Sequence, residues 1–218
     1  MHESPDPSLD QVLLNQRSYD AIARHWWQVR TTLGSRERQC LDLLATDLAA
    51  GDTVLDLGCG TGQPMASWFI DRGLQVTGID QSAEMLAFAY NAFPQAHWLQ
   101  HTLPEFDLAE RFNAIVLWDV LFHLPRNDHQ TLLIRIHDHL LPGGRLMLTS
   151  GGSADAAFTD SMFESRFFYD SLAPHTLQSV LQETGFHIEL MDVIDPPTAG
   201  RDKGRIAIVA HTAHTTGT

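Results

Sequence analysis

Apolar positions recur along this chain at two periods. Leu41, Leu44 and Leu48 return every three or four residues, which places them on one helical face. Shorter apolar runs, bounded by glycine, proline or acidic residues, have the length of strands. Read in order, the pattern predicts helices over 9–30 and 35–49, joined by Thr31-Thr32-Leu33-Gly34, and then a strand from Thr53 to Leu57. A helix from Met65 to Arg72 stops at Gly73. It is followed by a strand from Gln75 to Ile79 and a helix from Ser82 to Asn91 with Ser82 as its cap. Strands are predicted over Ala96 to Gln100 and Phe112 to Trp118. A helix from Asn127 to Leu140 is expected to take Asn127 as N-cap and Gln130 as its capping-box partner. Pro142-Gly143-Gly144 turns into a strand Arg145 to Thr149, Pro174 starts a helix ending at Gly185, and strands Phe186 to Ile194 and Arg205 to Ala210 follow.

Strands and helices alternating at this spacing give an α/β fold, a parallel sheet covered by helices on both faces. No helix separates the last two strands, so the final strand is expected to run antiparallel. Right-handed crossovers then place any ligand at the carboxyl edge of the sheet.

One strand-turn-helix junction carries more chemistry than the others. Val54-Leu55-Asp56-Leu57-Gly58-Cys59-Gly60-Thr61-Gly62 runs from an apolar strand through a carboxylate into a glycine-rich turn. Backbone without Cβ atoms lets a ligand approach closely. A dinucleotide fingerprint, G-x-G-x-x-G, would hold a pyrophosphate there. Here the third glycine comes one residue early, and Asp56 would set a negative charge beside any phosphate. A cationic ligand without phosphates fits better, which weakens a nicotinamide dehydrogenase reading.

The segment Asp56 to Gly62 resembles the first motif of the class I S-adenosylmethionine-dependent methyltransferases. The resemblance covers about residues 50 to 210. It implies a three-layer Rossmann-like sandwich around a seven-stranded, mostly parallel sheet, with S-adenosylmethionine as cofactor and S-adenosylhomocysteine as product. It also implies an N-terminal helical lid over 1–34, in which Tyr19-Asp20-Ala21-Ile22-Ala23 looks like the lid helix of small-molecule members, a cofactor-binding domain over 35–212 and a tail over 213–218. The cofactor is expected to pass Gly58, Cys59, Gly60 and Gly62 at its methionine end, where Asp56 accepts from the ammonium. Asp80, ending Val76-Thr77-Gly78-Ile79-Asp80, is expected to accept both ribose hydroxyls, with Gln81 beside it. Family members often place an aspartate after the third strand to meet the adenine amine. This chain has Thr102 there, so the contact falls to Thr102 and the Leu103 backbone amide. Trp118 and Asp119 are expected near the sulfonium.

Three segments are expected to cover this edge: the first helix with Tyr19, His25, Trp26 and Trp27; the aromatic-rich stretch Gly151 to Ala173; and the loop Asp195 to Gly204. His123, five residues past Trp118, is the candidate general base, with Tyr19 and Asp119 as further catalytic candidates. Asp119 would orient His123 or bind a substrate ammonium, and Arg201, Lys203 and Arg205 would hold a substrate carboxylate.

Charge and cysteine content narrow the partners. The 218 residues include 14 basic and 27 acidic ones, a net charge of −13, with no lysine- or arginine-rich run. That argues against a protein that binds by neutralising phosphates. Two cysteines, one inside the glycine turn, point to a reduced compartment. Met1 to Ser8 is unlike a signal peptide, and no apolar run reaches the length of a membrane span. None of the twelve histidines falls into a metal-ligand spacing. The expectation is a cytoplasmic monomer or homodimer, without metal, that methylates a small molecule. The alternatives are an RNA or protein methyltransferase and a non-catalytic cofactor-binding protein.

Overall fold

The computed structural model describes residues 7–197 and 204–214. Seven strands form one sheet: β1 (Thr53–Leu57), β2 (Gln75–Asp80), β3 (His97–Gln100), β4 (Phe112–Leu117), β5 (Leu140–Gly151), β8 (His187–Asp195) and β9 (Arg205–His211). Their order is β3-β2-β1-β4-β5-β9-β8. β1 to β5 are mutually parallel, and β9 runs antiparallel to both β5 and β8, as expected. The order reverses between β1 and β4, and a crevice opens outside their carboxyl ends.

Alternation along the central strands sorts side chains to two faces. Leu55, Leu57, Ile115 and Leu117 join Ile206 and Ile208 in one core, against α5 (His129–Asp138) and α6 (Pro174–Thr184). Val54, Ala114, Val116 and Trp118 join Val209 in the other, against α2 (Ser35–Leu44), α3 (Met65–Ile70) and α4 (Ala83–Ala92). A third, smaller cluster joins Ile22 and Ala23 of α1 (Pro7–Val29) to Met85 and Phe167. That cluster seats the first helix on the sheet's carboxyl edge.

Local signals place most of these elements. The Ser82 hydroxyl accepts from the Met85 amide at 3.1 Å, Pro174 occupies the first turn of α6, and Gly185 caps it at φ 101°. α2 is shorter than the periodicity predicts and ends at Leu44. The expected Asn127 cap with Gln130 does not form. Arg126–Asp128 is a 3-10 turn, Asp128 precedes α5, and no side chain caps it. The ion pair and hydrogen bonds from Arg126 to Asp170 anchor this turn and shift the start of the helix.

One element has no counterpart in the sequence pattern. The covering segment 151–173 contains a separate hairpin, β6 (Phe158–Met162) with β7 (Ser165–Tyr169). Its turn residues, Phe163 and Glu164, both adopt left-handed φ, 50° and 64°. Tight hairpins ordinarily use Asn or Gly there. Tertiary contacts outweigh that preference: Phe163 packs on His25 of α1 at 4.3 Å between ring centroids, and Phe167 on Tyr19 at 4.8 Å. Among the described residues no helix is long and apolar enough to cross a membrane.

Candidate active site

The crevice at the switch point holds a cavity of about 100 Å³ that opens into a wider mouth. Its floor is the turn after β1. Gly58 (φ 72°) and Gly60 (φ 54°) both hold left-handed backbone. A Cβ on Gly58 would lie 2.3 Å from a Val120 methyl, whereas one on Gly60 would meet nothing closer than 3.9 Å and would project toward Trp26. Gly58 is therefore required by packing as well as by conformation, and Gly60 leaves room for a ligand. Gly62 lies outside the cavity lining. It lets the turn press against Phe93 and Trp98, each 3.0 Å from a notional Cβ. Cys59 lines the wall, and burial, with Asp80 and Asp56 nearby, pushes its thiol well above the usual range.

Two carboxylates face the floor. Asp56 is 2% exposed, and its Oδ2 is buried without a hydrogen-bond partner among the described residues. Burial and the neighbouring Asp80 charge push it up to about 7. An unpaired buried carboxylate oxygen is costly, and an ammonium reaching it would remove that cost. Asp80 accepts from the amides of Gly60 and Ser82, each at 2.8 Å. Burial pushes it up to about 6, and those two amides hold it from rising further.

Gln81, Leu103, Trp118 and Asp119 also line the cavity. Thr102 does not; its hydroxyl donates to Glu105 at 3.3 Å. The Trp118 indole N–H is buried without a partner among the described residues. Asp119, at φ 57°, holds Arg205 through both oxygens, at 2.6 and 2.8 Å. It is thus paired with a cation, and among the described residues it makes no hydrogen bond to His123, which corrects the expectation that it orients that ring. Arg205 also donates to Asp195 at 2.6 Å. Arg201 and Lys203 lie outside the described residues.

Tyr19 and His123 meet at the cavity's upper end. The Tyr19 hydroxyl lies 2.8 Å from His123 Nε2, and His123 Nδ1 lies 2.9 Å from the Phe168 carbonyl. A carbonyl only accepts, so Nδ1 carries the proton and Nε2 receives the Tyr19 hydroxyl. Burial lowers the imidazole to about 4. Burial, with Tyr169, Asp119 and Asp80 adding to it, raises the Tyr19 phenol well above its ordinary value.

Periodicity and motif reading pass over Arg30, which lines the same cavity one residue beyond α1. Its guanidinium donates to the Thr32 carbonyl at 3.1 Å and is paired with Glu37. The one hint in sequence is a lone cation directly after Trp26-Trp27-Gln28-Val29.

Comparison with known proteins agrees with this geometry. A family model described as a methyltransferase domain matches residues 54–144, the span from β1 to the middle of β5. A trans-aconitate 2-methyltransferase of Azoarcus sp. is 36% identical over 180 residues, covering 72% of this chain and 70% of that protein. A ubiquinone biosynthesis O-methyltransferase of Xanthomonas axonopodis is 26% identical, covering 78% of this chain and 79% of its own length. In fold, the chain matches a 1,6-didemethyltoxoflavin-N1-methyltransferase of Burkholderia thailandensis, solved with S-adenosylhomocysteine, at a TM-score of 0.71 and 19% identity over 98% of this chain and 93% of the other. A glycine turn without a pyrophosphate cradle, a carboxylate awaiting a cation, and a relative of this identity and coverage together place the chain among the class I S-adenosylmethionine-dependent methyltransferases.

Proposed function

We propose that this enzyme methylates a small molecule that loses a proton from oxygen or nitrogen as it accepts the methyl group. The carrying observation is the Tyr19–His123 pair, which sits in the same cavity as the glycine turn, with the imidazole neutral and its Nε2 lone pair directed at the phenol.

The residues present fit the cofactor. Asp56 would take its ammonium, Asp80 its ribose hydroxyls, and Arg30 its carboxylate, while Leu103 would flank the adenine. When bound, the cofactor supplies a methyl group on a positively charged sulfur. The protein contributes alignment and a route for the proton. The acceptor X–H donates to the Tyr19 oxygen as the Tyr19 proton passes to His123 Nε2. An imidazole held near 4 is a weak base. It takes the proton once the forming bond to carbon has made that proton strongly acidic, so proton loss accompanies transfer rather than preceding it. α1 and the β6–β7 hairpin act as the lid that keeps this pair dry.

The trans-aconitate and ubiquinone-biosynthesis relatives support a small-molecule acceptor, and a net charge of −13 disfavours RNA. The test is methyl transfer from labelled S-adenosylmethionine to a panel containing trans-aconitate, hydroxylated aromatics, amines and total RNA. Labelling of a hydroxyl or amine compound is expected. Labelling of RNA alone, or of carboxylates alone, would overturn this reading.

A further inference from the structure

One face of α1 reaches both nitrogens of His123. Tyr19 touches Nε2 directly. Asn15, one turn earlier on the same face, touches the group that holds Nδ1. Asn15 is 1% exposed. Its Oδ1 accepts from the Phe168 amide at 2.8 Å, and its Nδ2 donates to the Phe168 carbonyl at 3.2 Å and to the His123 carbonyl at 3.0 Å. The side chain thus serves both backbone groups of Phe168 as a neighbouring strand would, and ties helix, hairpin and the 3-10 turn Leu121–His123 to one point. Its orientation is fixed, because a flipped amide would set its oxygen against two carbonyls and its NH2 against an N–H.

We propose that Asn15 is a positioning residue that fixes which ring nitrogen of His123 carries the proton. The Phe168 carbonyl has two lone pairs, one taken by Asn15 and one by His123 Nδ1–H. With that oxygen locked against Nδ1, the alternative tautomer would face it lone pair to lone pair. The proton is held on Nδ1, and Nε2 is left to Tyr19. Ser18 reinforces the arrangement by donating to the Arg166 carbonyl at 2.5 Å, which holds β7 on α1. The ionisable groups packed on the ring are Tyr19 from α1 and Tyr169 from β7. The proposal deepens the reading of His123 as proton acceptor and rests on it for its catalytic meaning, but the tautomer can be measured without any acceptor.

The experiment is nitrogen-15 NMR of the full chain labelled at histidine, titrated with pH, with S-adenosylhomocysteine calorimetry as the control for folding and cofactor binding. The wild type is expected to show His123 neutral at pH 7, protonated on Nδ1 and titrating well below an ordinary histidine. Asn15→Asp keeps the acceptor for the Phe168 amide but cannot donate to either carbonyl, and it sets a negative charge beside the carbonyl that holds Nδ1. It is expected to raise the His123 midpoint by about one pH unit or more while S-adenosylhomocysteine affinity stays within about twofold. Asn15→Ala is expected to give a mixture of tautomers. A wild-type His123 protonated on Nε2 would overturn the proposal, and so would variants in which tautomer and midpoint are both unchanged. If neither variant folds, the Asn15 side-chain amide of the wild type is read instead: slow exchange and a coupling across its bond to the Phe168 carbonyl would support the proposal, and rapidly exchanging amide protons would overturn it. A wild type with the proton on Nδ1 that methylates no acceptor would sink the proposed function instead.

Discussion

The two ends of the cavity are built differently. The end proposed to hold the cofactor is local: Asp56, Gly58 and Gly60 lie within five residues, and Asp80 follows at the end of the next strand. The end proposed to hold the acceptor joins α1, the turn after β4 and the β6–β7 hairpin, with the contacts Tyr19–His123 and Asn15–Phe168 spanning 104 and 153 residues. Their electrostatics differ as well. Burial drives the carboxylates of the first end up and the imidazole of the second down, so each group is pushed toward its neutral form. A carboxylate left unpaired waits for a cation. A histidine already satisfied at both nitrogens waits for a substrate to enter its hydrogen-bond chain. The first end is built within a short stretch of chain, and the second is assembled from three distant segments.

Mutations can separate these two ends. The largest effect is expected from Gly58→Ala, where left-handed backbone and a 2.3 Å approach to Val120 act together. The cost is about 2–5 kcal/mol of stability, measured by chemical denaturation. Partial recovery in Gly58→Ala with Val120→Ala would sharpen the packing share, and a neutral single variant would break the account of the floor. Next, His123→Ala is expected to slow methyl transfer about 100-fold with little change in cofactor affinity by calorimetry. A parallel loss of both would show that the two ends are not separable. Asp80→Ala leaves the Gly60 and Ser82 amides unpaired and removes the proposed ribose contact. It is expected to weaken cofactor binding by about 1–3 kcal/mol, and unchanged affinity would remove Asp80 from the cofactor end.

The smallest effect concerns pH. Burial and the Asp80 charge push Asp56 up to about 7, and a bound ammonium favours its ionised form. Cofactor affinity should therefore fall as pH drops below about 7, with proton release on binding in that range. Calorimetry in buffers of different ionisation enthalpy reads this directly. For stability the sign is opposite. A carboxyl group whose folded pKa lies above its unfolded value binds more protons when folded, so the Asp56 contribution falls as pH rises from about 4 toward 7. His123, with its folded pKa lowered, contributes stability that is lost as pH falls from about 6.5 to about 4. A free protein whose cofactor affinity is flat from pH 5.5 to 8 would contradict the unpaired state of Asp56.

The same division explains what was legible. Asp56, Gly58, Gly60, Asp80, Gln81 and Trp118 line one cavity at the edge that the sequence pattern predicts, because strand, turn and capping signals act over a few residues and the topology rule fixes which edge they share. Thr102 was placed by analogy with a family position, and its side chain turns to Glu105 instead. Gly62, expected beside the cofactor, instead has Phe93 and Trp98 as neighbours, which no local pattern announces. Asp119 looked free to bind a cation until β9 brought Arg205 against it. The hairpin escaped notice because Phe163-Glu164 lacks the residues that a tight turn usually takes, and contacts with α1 hold it in place.

By itself the sequence determined the order of strands and helices, the antiparallel last strand, the glycine floor and the two carboxylates on it. These follow from periodicity, from backbone freedom at glycine and from the handedness of connections, all of which act over short stretches of chain. Only the tertiary structure decided that Asn15, Tyr19, His123 and Phe168 form one hydrogen-bonded chain, that Arg205 pairs with Asp119, and that Arg30 enters the cavity. Those outcomes depend on which distant groups are desolvated together, and burial, unlike spacing, is a property of the folded whole.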